Sequence, residues 1–300
     1  MHNRVITVLA GGCSSEREVS LRSGKAVASA LRGLGHTVFE IDPQDNLGDL
    51  PPTTEVVFLA LHGAYGEDGT VQSILDSRGI PYTGCGSVAS RLAFDKVLTK
   101  RACLAAGIST APFEVFREPT THWPTHLKPP VVIKPVHQGS SVGLQFVDHA
   151  EGLQEGLTLS LQHDEEVLVE ERIVGRETTV GILDHQVLPI VEVRPKQGTY
   201  DYVNKYTSGS TEYLCPAPFS SEISAGIQHA GLSAFHAVGG RDYGRVDIMV
   251  RPNGEPIVLE VNTLPGMTET SLFPKAAAAF GLNYAQLCQK MINLALERTR

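Results

Sequence analysis

"VDIMVRPNGEPIVLEVN", residues 246–262, reads as two apolar strands folded back on each other, with an acid in each arm. Asn253-Gly254 is a strong short-range hairpin signal, because both residues tolerate the positive φ of a two-residue type I′ turn. That turn sets Asp247 opposite Glu260 and Arg245 opposite Asn262, and side-chain alternation sends all four to one face. Two like charges with Cβ atoms roughly 4.5–5.5 Å apart destabilise a half-buried sheet. A cation between them removes the conflict, and an all-oxygen set of Asp, Glu and Asn suits a hard ion such as Mg2+. The alternative is an exposed hairpin whose acids face water.

Outward from this hairpin, composition narrows the field. The 300 residues imply two or three domains. Hydrophobic content of 42% and charged content of 19% describe an ordinary globular protein. A net charge of −8 gives no reason to expect nucleic acid or an anionic membrane surface as a partner. The cysteines at 13, 85, 103, 215 and 288 contain no CxxC pair, which argues against a disulfide framework or a zinc site and fits the cytoplasm. The opening "MHNRVITVLAGG" holds an apolar run too short for a signal peptide or a membrane span, and no later segment is long enough either.

Residues 1–93 alternate strand and helix: "RVITVLAGG", an Ala- and Leu-rich helix to Leu34, "HTVFEID", "EVVFLAL" and a helical "GTVQSILDSRG". That order predicts a parallel, doubly wound α/β sheet. "AFDKVLTKRACLAAG" reads as one helix, and the Pro-rich stretch from "TAPFEVF" to "THLKPP" as an entry into a second unit. Strands "PVVIKP", "VGLQFV" and "EVLVEERI" follow, with a helix at "AEGLQEGLTLSLQ". A third unit holds "ETTVGIL", "QVLPIVEV", a helix near 221–240, the opening hairpin and a C-terminal helix. Between its strands and the helix, "GTYDYVNKYTSGSTEY" lacks periodicity but carries four tyrosines, which predicts an ordered lid over either a helix or a disordered linker.

Several segments carry candidate chemistry. In "GGCSSEREVSLRSG", Ser15 and Glu18 predict a capping box, and Glu16 sits in the first helical turn, either as a ligand or as a complement to the helix dipole. The glycines there do not form GxGxxG, which disfavours a nicotinamide oxidoreductase. His62 ends an apolar strand, where ligands of parallel sheets bind, although a structural histidine is the commoner case. "VVIKPVHQGSSVGLQFV" places a loop of small residues, 139–143, after Lys134. Exposed N–H groups beside a lysine suit phosphate, and the loop is not a Walker A motif. Strand end 170–172 with Glu177 could serve a base and a ribose, and Gly266 and Ser271 in "NTLPGMTETSLFP" offer N–H groups to a carboxylate or an oxyanion.

Together "GGCSSEREVSLRSG", "ALHGAYGEDGT", "PYTGCG", Asp95-Lys96, "IKPVHQGSSVG", "EEVLVEE", "YDYVNKY", "GRVDIMV" and "EVNTLPGMT" resemble the ATP-grasp family, and within it the D-alanine–D-alanine ligase family, in order and over essentially the whole chain. The resemblance implies an ATP-grasp fold behind an N-terminal Rossmann-like substrate domain, with domains at 1–93, 94–178 and 179–300. It implies that Lys96, Lys134, Ser141 and Lys205 hold ATP phosphates, that Glu170, Glu171 and Ile173 line the adenine, and that Glu177 meets the ribose. Asp247, Glu260 and Asn262 would hold two Mg2+ ions, replaceable by Mn2+. Glu16 and His62 would serve the first D-alanine, Ser140 and Tyr206 the second, Arg245 and the Gly266 N–H an oxyanion, and Ser271 with Leu272 the terminal carboxylate. The implied activity is ATP-dependent joining of two D-alanines for peptidoglycan, in a cytoplasmic homodimer. An ATP-grasp ligase for another amino-acid pair and a nucleotide binder without catalysis are the alternatives; the intact Arg245, Asp247, Glu260 and Asn262 set disfavours the binder.

Overall fold

The computed structural model describes residues 3–44, 46–196 and 210–298. β1 (Val5–Leu9), α1 (Arg17–Gly33), β2 (Thr37–Ile41), β3 (Val56–Leu59) and α2 (Thr70–Ser77) build a parallel sheet in the order β2-β1-β3. Then come α3 (Ser87–Phe94), α4 (Lys96–Ala105), β4 (Phe113–Phe116), β5 (Val131–Pro135), β6 (Gln145–Val147), α5 (Leu153–Ser160) and β7 (Val167–Glu171), whose strands form an antiparallel sheet in the order β4-β7-β5-β6. The third sheet, also antiparallel, is built from β8 (Arg176–Leu183), β9 (Gln186–Val187), β10 (Val191–Pro195), β11 (Thr211–Leu214), β12 (Tyr243–Val250) and β13 (Pro256–Asn262). Its order is β11-β10-β8-β12-β13, with β9 on β8. Among the described residues three further α-helices follow: α6 (Ser221–Ala237), α7 (Leu272–Ala279) and α8 (Tyr284–Glu297).

The first sheet is covered on both faces, as a doubly wound sheet requires. Ile6, Val8, Val56 and Phe58 meet α1, while Leu9, Val57 and Leu59 on the other face meet Val71 and Leu75 of α2. Beside α1, however, lies α8 from the far end of the chain, burying Leu287, Met291, Ile292 and Ala295 in the same core. Truncating the fully buried Met291 to Ala would cost about 2–5 kcal/mol.

The opening hairpin pairs as expected at the acids, by a different route. Arg251 and Glu255 close a three-residue loop in which, of Pro252, Asn253 and Gly254, only Gly254 has positive φ (88°). This is a turn followed by a left-handed glycine in place of the expected two-residue type I′ turn. It pairs Ile248 with Val258, and an irregularity at Leu259 then shifts the register so that Asp247 faces Glu260 and Arg245 faces Asn262. One extra residue in the turn is offset by one extra residue in β13.

Other expectations change. The helix expected over 93–107 breaks at Asp95, whose extended backbone (φ −84°, ψ 110°) and carboxylate cap α4 through the Leu98 N–H at 2.9 Å. The Pro-rich entry contains β4, and the end of the tyrosine-rich stretch is β11, paired with β10. The capping box of Ser15 and Glu18 does not form: Glu16 is the N-cap of α1 and no side chain caps it. The Glu16 carboxylate instead accepts a hydrogen bond from Ser140. The expected division at 178/179 falls inside β8.

Candidate active site

A cavity of about 400 Å³ opens between the three sheets. Its walls come from the start of α1, the loops after β3 and β5, the strands β8, β10, β12 and β13, and the turn leading into α7. On its floor Asp247 collects donors from three strands. Arg245, two residues earlier on the same face, donates from Nε and Nη2, each at 2.9 Å. Asn262 Nδ2 donates at 3.1 Å from β13, and the Thr179 hydroxyl at 2.6 Å from its cross-strand position on β8. Glu260 faces the same space and makes no hydrogen bond or ion pair among the described residues.

On the opposite wall, Lys96 opens α4 and donates to the carbonyls of Gln138 (2.5 Å) and Val136 (3.3 Å) at the root of the glycine loop. Burial lowers its pKa, and the charge of Glu260 works against that shift. In the loop, Ser140 and Ser141 both adopt the left-handed region (φ 51° and 61°). That conformation aims the Ser140 hydroxyl at Glu16, across 124 positions of sequence. A Cβ on Gly139 would lie 2.7 Å from Glu16 Oε2, so the glycine is what lets the loop close on the acid.

Behind Glu16, the Ser14 hydroxyl donates to the His62 carbonyl at 2.6 Å. His62 Nε2 stands 3.4 Å from the Ser23 hydroxyl, and its Nδ1 stands 4.0 Å from Glu67 Oε1. Burial raises the pKa of Glu67 against the opposing pull of His62. Across the cavity, Thr268 and Ser271 lock the turn into α7 through their hydroxyls (2.7 Å) and the Thr268 N–H (3.1 Å). The neighbouring Gly266 N–H makes no hydrogen bond among the described residues, leaving a donor at the cavity edge.

Three comparisons bear on this arrangement. The profile for "D-ala D-ala ligase C-terminus" matches residues 103–293, and that for "D-ala D-ala ligase N-terminus" matches residues 39–85. The chain belongs to the D-alanine–D-alanine ligase family. It is 48% identical to the D-alanine–D-alanine ligase of Methylacidiphilum infernorum, covering 98% of this chain and 96% of that one. With the Aquifex aeolicus enzyme of the same name it shares 45% identity over 96% of this chain and 99% of the relative. A Bacillus anthracis D-alanine–D-alanine ligase solved in complex with ATP superposes with a TM-score of 0.85 at 32% identity, covering 99% and 98% of the two chains. A D-Ala:D-Ser ligase of Enterococcus faecalis superposes equally well, with TM-score 0.85, 30% identity and coverage of 98% and 100%. The fold is therefore that of the ATP-grasp ligases.

Of the residues expected to serve a ligase of this family, Glu16, His62, Lys96, Ser140, Glu177, Arg245, Asp247, Glu260, Asn262, Gly266, Ser271 and Leu272 line the one cavity. Lys134, Ser141, Glu170, Glu171 and Ile173 do not. The Lys134 ammonium is turned onto Glu170 (2.5 Å), Glu171 pairs with Arg251 (2.8 Å), and Ile173 packs with Ala111 and Ile257. Lys205 and Tyr206 lie outside the described residues. Sequence reasoning missed Thr179, Glu67 and Lys100. Thr179 had a signal, since β8 had to pair with the hairpin strand bearing Asp247, and so had Glu67, which stands five residues after His62 in "ALHGAYGEDGT"; Lys100 had none, because nothing in a short window marks which buried acid a lysine will meet.

Proposed function

We propose that this chain joins two D-alanines at the expense of ATP, through a D-alanyl phosphate, releasing D-alanyl-D-alanine, ADP and phosphate for bacterial peptidoglycan. The observation that carries the reading is the Ser140 to Glu16 hydrogen bond. It joins a loop suited to phosphate to an acid suited to an ammonium, in a cavity that also holds Arg245.

Glu16 takes the ammonium of the first D-alanine, with His62 beside it. Lys96 and the backbone of the glycine loop take the ATP phosphates, and Glu177 meets the ribose. The first carboxylate attacks the γ-phosphate, and Arg245 with the Gly266 N–H stabilises the charge that develops. Ser271 and the N-terminal N–H groups of α7 grip the carboxylate of the acceptor, whose amine must shed a proton before it attacks the acyl phosphate. Tyr206 and Lys205 are assigned to the lid and the γ-phosphate through the resemblance.

The metal assignment belongs to the same proposal. Among the described residues no three His, Cys, Asp or Glu side chains gather to hold an ion. The donor set here is two acids and an amide, all oxygen ligands, and Glu260 is unpaired, which fits Mg2+ or Mn2+ held jointly with phosphate. When bound, two such ions neutralise the transferring phosphoryl group.

Three working units follow the three sheets, and dividing the last two at residues 172–175, between β7 and β8, keeps β8 whole. No helix of the described residues is long and apolar enough to cross a membrane, and the five cysteines are free; a cytoplasmic location is part of the proposal. A homodimer completes the proposal, for which light scattering is the check. The deciding experiment is mass spectrometry of the product formed from ATP with D-alanine, alone and against D-serine. Phosphate release matched by D-alanyl-D-alanine supports the reading; equal use of L-alanine, or a mixed product in preference, overturns it.

A further inference from the structure

Glu170 is buried on β7, and two lysines from different elements reach its carboxylate: Lys134 on β5 at 2.5 Å and Lys100 on α4 at 2.7 Å. The two lysines differ in freedom. Lys100 is 1% exposed, and its ammonium also donates to the Thr110 hydroxyl (2.7 Å) and the Ala111 carbonyl (3.0 Å). Two hydrogen bonds and the ion pair to Glu170 thus hold this buried ammonium in place, although Glu170 Oε2 itself accepts no hydrogen bond among the described residues. Lys134 meets only Glu170 among the described residues, and it ends the strand that runs into the glycine loop.

Two ammonium groups against one carboxylate leave a positive excess in a closed region. Burial lowers the pKa of Lys100, which an unpaired buried ammonium would answer by losing its proton. Burial also pushes the Glu170 pKa up, but the two lysines outweigh it and hold the carboxyl at about 2. An anion that draws Lys134 away would strand Glu170 without a partner, unless a second cation stays behind.

We propose that Lys100 is a positioning residue for nucleotide binding: it keeps Glu170 neutralised while Lys134 turns from Glu170 to a phosphate oxygen of ATP. The inference rests on the ATP-dependent reading above. Lys100 itself touches no substrate. Its charge, and not its packing, is what the nucleotide site uses.

The test is a set of full-length variants assayed with ATP and D-alanine. Lys100→Met should raise the KM for ATP about tenfold or more and leave that for D-alanine within about twofold, because only Lys134 is held back. Lys100→Arg, which keeps the charge, should restore most of the ATP affinity. In a Glu170→Gln background, adding Lys100→Met should change the KM for ATP by less than about twofold, since the charge to be balanced is gone. Equal fold-changes in the two backgrounds, or an effect confined to D-alanine, would overturn the proposal and make Lys100 a strut. If Lys100→Met alone does not fold, recovery of folding in the double variant supports the charge pairing, and failure to recover overturns it. ATP-induced shifts in melting temperature read the same affinities without turnover. The inference is thereby judged even if the wild-type product shows another amino-acid pair.

Discussion

The hydroxyl of Thr179 is a small group that holds the Asp247 carboxylate on the floor of the cavity. It donates to Asp247 Oδ1 at 2.6 Å from the paired position on β8, and the residue is 2% exposed. Thr179→Val keeps the branched shape and the strand preference while deleting this donor. A hydrogen bond to a charged acceptor contributes about 1.5–3 kcal/mol, and the valine methyl that replaces the buried Thr179 hydroxyl leaves no donor in its place. If the bond orients Asp247 for the reacting phosphates, losing it should lower kcat/KM for ATP by about 10- to 150-fold, since about 1.4 kcal/mol corresponds to a factor of ten. The assay is phosphate release at saturating D-alanine across a range of ATP and Mg2+, with a thermal melt of the same preparation. A variant that melts lower yet keeps kcat/KM within about twofold would refute the reasoning, because the hydroxyl would then hold the sheet together and not the site.

Glu260→Gln breaks no contact among the described residues, so the melting temperature should hold while turnover falls by orders of magnitude; unchanged activity at saturating Mg2+ would remove Glu260 from the metal site. The same change takes away a charge that keeps the buried Lys96 protonated, so the KM for ATP should also rise more steeply with pH than in the wild type. Gly139→Val must displace Glu16, which a Cβ would approach to 2.7 Å, so Michaelis constants for both D-alanine and ATP should rise; a change in the ATP term alone would contradict the closeness of loop and acid. His137 is clamped by Asp164 (3.1 Å) and, at 3.5 Å, by Asp95, and the hydrogen bond that its imidazole donates to Asp164 raises its pKa above the usual 6.5. A raised histidine stabilises fully below about pH 6.5 and loses that contribution as pH climbs through the folded value. Denaturant melts of wild type and His137→Gln should accordingly converge above that range, and a gap that widens with pH would reverse the assignment.

Much of the molecule was legible in short windows. Alternation placed Arg245, Asp247, Glu260 and Asn262 on one face, and the strand-helix order of residues 1–93 implied a parallel sheet covered on both sides. Such features depend on spacing between neighbours, which the chain carries along its length. The lines that failed were those where a distant partner claimed a group that local rules had assigned. Glu16 caps α1 without a side-chain bond of its own because its carboxylate is engaged by Ser140; the break at Asp95 differs, since its cap on the Leu98 N–H is local.

Tertiary structure alone decided three matters. The pairing of Asp247 with Glu260 survives only because a three-residue turn is offset by the irregularity at Leu259, and a hydrophobic pattern does not distinguish that from a two-residue turn with regular pairing. The first sheet borrows α8 from the other end of the chain, since α1 leaves part of that face uncovered and any amphipathic helix could fill it. Lys100 and Lys134 meet at Glu170 because β5 and β7 are neighbours in one sheet and α4 packs against it through Val97 and Leu168. Sequence by itself supplies the charges, but the burial that forces them to pair comes from packing, and burial is what turns two ordinary lysines into unequal ones.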